Sequence, residues 1–214
     1  MADGEMMAKA AFTSMTVGTA EDWKAIGEAG RKDDSYASLV ADIDAHLGET
    51  AKAEALYRSA IARNPDNDQA YLSLAMLEFR QNKFAAAKQT LQEGQTRVPG
   101  SGKIYWGLGL AAVLAGETAT AGDDLERAVD LMPEWPGSYS TLGFFYFQTG
   151  QVTKAREVLE RFRNNGAPGG LDLRRIESVL DGATDDPIKG GQAMGMKERL
   201  QVFQLAEYLA EKTL

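Results

Sequence analysis

The chain repeats itself with a period of 34 residues. Prolines at positions 65, 99 and 133 mark this period, and the segments beginning at Asp34, Asp68, Gly102 and Pro136 align column by column. One column is alanine in every segment: Ala53, Ala87, Ala121 and Ala155. A period of this length is typical of repeat proteins, in which each unit buries its apolar face only by stacking on the next unit. The aligned segments are therefore predicted to form one continuous array.

The aligned columns describe two closely crossing helices in each repeat. The seventh and eighth columns combine a large aliphatic residue with a small one, as in Leu108 and Gly109. Small residues let two helix backbones approach, while large side chains fill the grooves between them. The prolines should end the second helix, because the residue before a proline disfavours the helical conformation. The first helix should end at a column of residues that tolerate the left-handed conformation: Gly48, Asn82, Gly116 and Gly150.

These columns resemble the tetratricopeptide repeat, whose pattern joins Trp, Leu, Gly and Tyr to later Ala, Phe and Pro positions over 34 residues. The fourth column carries part of that pattern: Ala37, Tyr71, Tyr105 and Tyr139. The resemblance covers residues 34–169 as repeats 34–67, 68–101, 102–135 and 136–169. It implies an all-α fold, a right-handed superhelical solenoid of antiparallel helix pairs with capping helices at both ends.

The flanking segments are predicted to complete this array. Residues 1–33 should form a flexible N-terminus plus one extra helix over residues 20–31. Residues 170–214 should contain a partial fifth repeat or capping helix, a Gly/Pro linker and an amphipathic C-terminal helix over about residues 196–212. The apolar stripe of that last helix is too wide for an exposed helix, so the stripe should pack on a partner surface.

Composition narrows the choice of partners. The formal net charge is −8 and the isoelectric point is near 4.8. Binding to nucleic acid or to an anionic membrane without sequence preference needs a basic surface, so both are disfavoured. No stretch approaches 18 consecutive apolar residues, so no membrane-inserted helix is expected. The absence of cysteine is compatible with the cytoplasm, taken as the default location, and with the periplasm if a signal peptide has been removed.

No motif predicts catalysis, a metal site or a cofactor. His46 is the single histidine and there is no cysteine, which excludes a transition-metal site built from these ligands. Asp66-Asn67-Asp68 is similar to the start of a calcium loop, but Ala70 and Tyr71 replace the required oxygen ligand and glycine. Asp185-Asp186 lies in a Gly/Pro-rich stretch and is interpreted as solvated charge. We therefore predict that the protein is not an enzyme.

The resemblance also implies where a protein partner would bind, because in this family the first helix of each repeat lines an inner groove. The matching columns predict a mostly apolar groove, and such patches usually mark binding sites. Trp106 and Leu110 fall at its predicted centre. At the positions of the carboxylate-clamp subtype only Lys103 fits, so clamp function is disfavoured. The predicted groove residues are Leu72, Met76, Phe79, Lys103, Trp106, Leu110, Val113, Phe144 and Phe147.

Two functions remain open. In the first, the chain is an interaction scaffold or adaptor whose groove binds an apolar or amphipathic segment of a protein or peptide partner of unknown identity. In the second, it is a structural assembly protein whose groove holds its own C-terminal helix or that of a neighbouring molecule. Some of the groove aromatics would then simply pack beneath that helix. An enzyme is the third and least supported alternative.

Overall fold

The computed structural model describes residues 37–165, 180–186 and 194–213, together with the single residues 24, 25, 27, 28, 30 and 177. The side chains at 207 and 209–213 lie outside that description. Over the described ranges the backbone is helical or in turns, and no strand occurs there. The predicted segment 1–18, most of the partial fifth repeat and most of the Gly/Pro linker lie outside the described residues.

Two helices lie within each of the four predicted repeats, and a further helix lies near residue 200. The first helices are α1, α3, α5 and α7, and the second helices are α2, α4, α6 and α8. Their bounds are α1 Ala37–His46, α2 Thr50–Arg63, α3 Asp68–Arg80, α4 Phe84–Arg97, α5 Gly102–Ala115, α6 Thr118–Leu131, α7 Pro136–Gln148, α8 Val152–Asn164 and α9 Met196–Thr213. Each of α1 to α7 packs on the next helix of the chain, so the array is an all-α repeat solenoid.

The turn column has the backbone conformation that its residue types predict. The φ angles are 78° at Gly48, 79° at Gly116 and 76° at Gly150, and Asn82 is left-handed as well, with φ of 59°. Asparagine is one of the few residues besides glycine that adopt this conformation readily. The same turn therefore closes the first helix in all four repeats.

The small-residue columns lie where helices cross. Ala53, Ala87, Ala121 and Ala155 are each completely buried. A Cβ atom added at Gly109 would lie 2.7 Å from Cγ of Leu125, which is closer than real Cβ contacts. The first and second helices of the third repeat are thus in contact at van der Waals distance, as close helix packing requires.

Side chains from different parts of the chain cap the helices. Asn67 accepts a hydrogen bond from the backbone N–H of Ala70 at 3.1 Å and so caps α3. The residue before α8 supplies no such cap. Asp185 instead accepts hydrogen bonds from the backbone N–H and the hydroxyl of Thr153, at 2.8 and 2.7 Å. Asp185, interpreted from the sequence as solvated charge, therefore caps the last helix of the array.

Two carboxylates lie inside the array. Asp44, in the first helix of the first repeat, is completely buried and has no contact with solvent. Glu78 is also buried and accepts hydrogen bonds from the Thr90 hydroxyl at 2.8 Å and from Arg58 at 3.3 Å. Burial raises the pKa of Glu78 against the opposing effect of these partners. Buried charges of this kind require hydrogen-bond partners, which α2 and α4 supply here.

The C-terminal helix α9 packs against α5 and α7, which are first helices of adjacent repeats. The buried side chains of α9 belong to the same apolar core as those of α3, α5 and α7. Among the helices that the structure describes, none is long and apolar enough to cross a membrane.

Candidate protein-binding surface

The predicted groove residues lie on α3, α5 and α7, and all but Lys103 belong to one apolar cluster or pack against it. The faces of these three helices that carry the predicted residues are here called the inner surface. Six of the nine are buried rather than open to solvent: Leu72, Met76, Phe79, Trp106, Leu110 and Val113. Lys103, Phe144 and Phe147 are partly buried. An open apolar groove is the expectation from the repeat columns, whereas most of these side chains are covered in the structure.

Part of the cover is α9. Val202 and Ala206 of α9 are completely buried, and Phe203 is 8% exposed. The Phe203 ring meets the Phe79 ring edge to face, with centroids 5.5 Å apart. Edge-to-face aromatic pairs of this geometry are favourable beyond the area that they bury. The chain therefore places an apolar face of its own helix on the inner surface.

Polar contacts set the position of α9 along the inner surface. An Nη1–H of Arg199 donates to the carbonyl oxygen of Leu114 at 2.8 Å, next to the last residue of α5. Nε2 of Gln148, the last residue of α7, donates to Oε1 of Gln201 at 3.2 Å. Phe79, the contact of Phe203, is next to the last residue of α3. The helix α9 thus crosses three first helices at their C-terminal ends.

The contact of Arg199 has an electrostatic component. The C-terminal end of a helix carries a partial negative charge, and a cation there is stabilising. The structure places the guanidinium of Arg199 against Gly116, the residue that follows α5. The position, the charge and the small neighbouring residue all favour this side chain at the end of α5.

Trp106 has a different environment from the one that the groove pattern predicts. Its side chain is completely buried, and its Nε1–H donates to Oγ1 of Thr141 at 3.1 Å. Its ring meets the ring of Trp135 edge to face, with centroids 5.1 Å apart. Thr141 in turn donates to the carbonyl of Gly137 at 2.8 Å. Trp106 therefore joins α5 to the N-terminal part of α7 and has no face open to a partner.

The other predicted residues differ in exposure. Phe144 and Phe147 stack on each other with ring centroids 6.2 Å apart and remain partly accessible. Lys103 is paired with Asp68 at 3.8 Å, across the junction of the second and third repeats. The inner surface therefore retains a partly open aromatic pair on α7 beside the area that α9 covers.

The first repeat contributes a polar end to the same side of the array. The Tyr57 hydroxyl donates to Oδ1 of Asp42 at 2.5 Å. Burial raises the pKa of Asp42 to about 6, although this hydrogen bond and the charge of Arg80 act in the opposite direction. Burial and the neighbouring Asp42 also raise the pKa of Tyr57. This end of the array is chemically unlike the apolar surface beneath α9.

Several residues important to this surface have no signal in the repeat columns: Arg199, Gln201, Thr141 and Trp135. Arg199 and Gln201 belong to a helix outside the repeats, and Trp135 belongs to the turn between the third and fourth repeats. The apolar spacing of α9 does predict that the helix needs a partner surface, but it does not say which one.

Comparisons with known proteins agree with this architecture. A family model described as tetratricopeptide repeat matches residues 45–109. The chain is 30% identical over 124 residues to cellulose synthase 1 operon protein C of Komagataeibacter xylinus, and this covers 57% of the chain but 9% of that relative. The chain thus spans less than a tenth of that protein's length.

Two solved structures share the fold at low sequence identity. One is a thermophilic tetratricopeptide-repeat protein of Thermus thermophilus, with a TM-score of 0.67 and 21% identity over 82% of this chain and 98% of that one. The other is a tetratricopeptide-repeat protein of Parabacteroides merdae, with a TM-score of 0.62 and 15% identity over 96% of this chain and 78% of that one.

The helix pairs, their left-handed turns and the shared inner surface define an all-α repeat solenoid of the protein-interaction class. Together with the family match over residues 45–109, they support a tetratricopeptide-repeat protein. Repeats of this family are typically non-enzymatic and suggest protein partners.

Proposed function

We propose that this protein is an interaction scaffold whose inner surface is occupied by its own α9, and that an amphipathic helix of a partner protein binds by replacing α9. The observation that carries the proposal is the contact of Val202, Phe203 and Ala206 with the surface that the repeat columns predict as the binding groove. An amphipathic helix lying in an apolar groove is a recurrent mode of peptide recognition.

The energetics favour occupation of the inner surface over leaving it bare. Burying a valine or phenylalanine side chain contributes roughly 1.5–3 kcal/mol. Because α9 belongs to the same chain, its local concentration at the inner surface is on the order of millimolar. A partner helix must therefore bind better than α9 or be present at high local concentration itself. The helix α9 therefore competes with any partner helix for the inner surface and lowers the apparent affinity of that partner.

A second candidate is a self-associating assembly in which α9 occupies the inner surface of a neighbouring copy. The exposed side of α9 favours further contacts, since Met196, Leu200 and Tyr208 are 61%, 42% and 44% exposed. Under either candidate the chain works by binding, and we assign it no catalytic step, cofactor or metal.

The test uses the absence of native cysteines. In the full chain, Gln148→Cys with Gln201→Cys places two thiols where the two amides now meet, and mild oxidation or a short bismaleimide should join them within one molecule. The control pairs Gln148→Cys with Gln204→Cys, which is exposed like Gln201 but lies almost one turn further along α9. We expect rapid cross-linking of the first pair as a monomer and slow cross-linking of the control.

The products distinguish the candidates. Equal cross-linking rates for the two pairs would show that α9 does not hold this position in solution. A covalent dimer from the first pair would favour exchange of α9 between copies. The monomeric cross-linked form should also lose binding to any added amphipathic helix that the reduced form binds, because the surface can no longer open.

A further inference from the structure

We infer that the C-terminal end of α5 is a guanidinium-binding site, and that the partner helix carries arginine with valine, phenylalanine and alanine three, four and seven residues later. This inference rests on the proposed function, since it treats the contacts of α9 as those that a partner must reproduce. The pattern is that of Arg199, Val202, Phe203 and Ala206, spaced as on one face of a helix.

The carbonyl oxygens at the end of α5 have different hydrogen-bond partners. The backbone N–H of Gly116 bonds to the carbonyl of Val113 at 3.0 Å, and that of Glu117 bonds to the carbonyl of Ala112 at 2.9 Å. The carbonyl of Leu114 is the one that receives Arg199. A charged donor at a helix C-terminus makes a stronger hydrogen bond than a neutral donor would.

The guanidinium of Arg199 fits against residue 116 because that residue has no side chain. A Cβ atom at residue 116 would lie 3.0 Å from Nη1 and 3.6 Å from Cζ of Arg199. Glycine at position 116 therefore serves two purposes. It adopts the left-handed turn, and its lack of a side chain leaves room for the guanidinium. At Gly48, the equivalent turn of the first repeat, nothing lies within 4 Å of the added atom. The third repeat thus provides a guanidinium contact that the same turn in the first repeat does not.

The buried positions of α9 also restrict which residues a partner helix can carry. Phe203, four residues after Arg199, is held by the ring of Phe79 from α3. Ala206, three residues later, is completely buried, so a larger residue at that position of a partner helix would overlap its neighbours. Recognition therefore requires one cation, one aromatic ring and one small residue on the same helix face.

The test supplies such a helix in trans. The receptor is the full chain carrying Arg199→Gln with Phe203→Asp, which disables its own α9, and circular dichroism confirms that it remains helical. The probe is a fluorescent synthetic peptide of residues 194–213. Peptide variants are Arg199→Gln, Arg199→Lys, Phe203→Ser and Ala206→Leu, and the matched control is Leu200→Gln, at a position 42% exposed in the chain.

We expect the native peptide to bind and the control to bind within about twofold of it. Loss of the charge-assisted hydrogen bond should weaken the Arg199→Gln peptide about tenfold or more. The Arg199→Lys peptide should recover part of this loss, because lysine keeps the charge but lacks the planar fork. Phe203→Ser and Ala206→Leu should each weaken binding more than the control does.

The outcomes distinguish failure of the guanidinium site from failure of helix replacement. If Phe203→Ser abolishes binding while Arg199→Gln binds like the native peptide, the guanidinium site is wrong and the proposed function stands. If the folded receptor binds no peptide at concentrations up to millimolar, helix replacement itself fails and the inferred pattern fails with it. If the Leu200→Gln control binds as weakly as the other variants, the peptide docks through a different face and the assigned contacts are wrong.

Discussion

Two adjacent hydroxyls of α7 illustrate how differently buried polar groups affect this fold. Ser140 and Thr141 are both completely buried. Thr141 accepts from the indole N–H of Trp106 and donates to a backbone carbonyl. The Ser140 hydroxyl finds no hydrogen-bond partner among the described residues. A buried polar atom without a partner loses its hydration and gains nothing in return.

Substituting the two residues should therefore have opposite effects on stability. Thr141→Val leaves the indole N–H of Trp106 unsatisfied and should lower the free energy of unfolding by about 1–3 kcal/mol. Ser140→Ala removes an unsatisfied hydroxyl and should leave that free energy unchanged or raise it by up to ~1 kcal/mol. Urea midpoints of the two variants check this, and a Ser140→Ala loss as large as that of Thr141→Val would contradict it.

Two aspartates should make stability depend on pH in opposite directions. Burial raises the pKa of Asp42 from 3.8 to about 6, so the folded state favours its protonated form. Its contribution is therefore greatest below pH 3.8 and is lost as pH rises to about 6. Hydrogen bonds from Thr153 lower the pKa of Asp185, so its contribution is present near neutral pH and is lost in acid.

The asparagine variants test these signs. Relative to wild type, Asp42→Asn should gain about 1–2 kcal/mol of stability between pH 4 and pH 7, because only the wild type must ionise a buried group. Asp185→Asn should lose stability relative to wild type as pH rises from about 2 to 4, because the wild-type carboxylate ionises more readily in the folded chain than in the unfolded one. Urea midpoints at the two ends of each pH interval give both differences. A change of the same sign in both variants would refute the assigned environments.

The packing of one helix on the next depends on glycines and alanines at the crossings. Alanine is normally a better helix former than glycine by about 1 kcal/mol. At Gly109 this preference should be reversed, since the added methyl group would lie 2.7 Å from Cγ of Leu125 and 3.3 Å from its backbone nitrogen. We expect Gly109→Ala to lower the free energy of unfolding by about 1–3 kcal/mol through overpacking.

Gly100 supplies the matched control, because a Cβ atom there meets nothing within 4 Å. Gly100→Ala should change stability by less than about 0.5 kcal/mol. Thermal unfolding followed by circular dichroism measures both variants. If Gly109→Ala is as stable as Gly100→Ala, α5 and α6 are farther apart in solution than the structure places them.

The sequence predicts the array well because the residues that determine each helix pair recur every 34 positions. Four aligned copies are enough to predict the left-handed turns at Gly48, Asn82, Gly116 and Gly150, and the close crossing at Ala121. Each of these depends on residues of the same or the next repeat. The contacts of α9 have no such period, since Arg199 meets the carbonyl of Leu114, 85 residues earlier.

The same reason explains why the exposure of the inner surface could not be predicted. The apolar character of Leu110 and Val113 is visible in the sequence, but the columns do not distinguish an open groove from one that another helix covers. For Trp106 the deciding neighbour is Trp135, a residue of an inter-repeat turn outside the family pattern. Asp185 likewise caps α8 from outside the repeats, so no column reveals its role.

For the molecule as a whole, the contribution of α9 to the common core is the property most open to test. Phe203 is 8% exposed and Leu200 is 42% exposed on the same helix, so Phe203→Asp and Leu200→Asp introduce the same charge at a buried and at an exposed position of α9. Phe203→Asp should release α9, lower the free energy of unfolding by about 2–4 kcal/mol and create binding sites for an apolar dye, because Phe79 loses the ring that packs on it. Leu200→Asp should change the free energy of unfolding by less than about 0.5 kcal/mol and leave dye binding unchanged.

Hydrogen exchange gives a second measurement of the release of α9. The amides of α9 should exchange faster in Phe203→Asp and at the wild-type rate in Leu200→Asp. If both variants keep wild-type stability, dye binding and exchange, α9 does not cover the inner surface in solution, and the proposed competition between α9 and a partner is wrong.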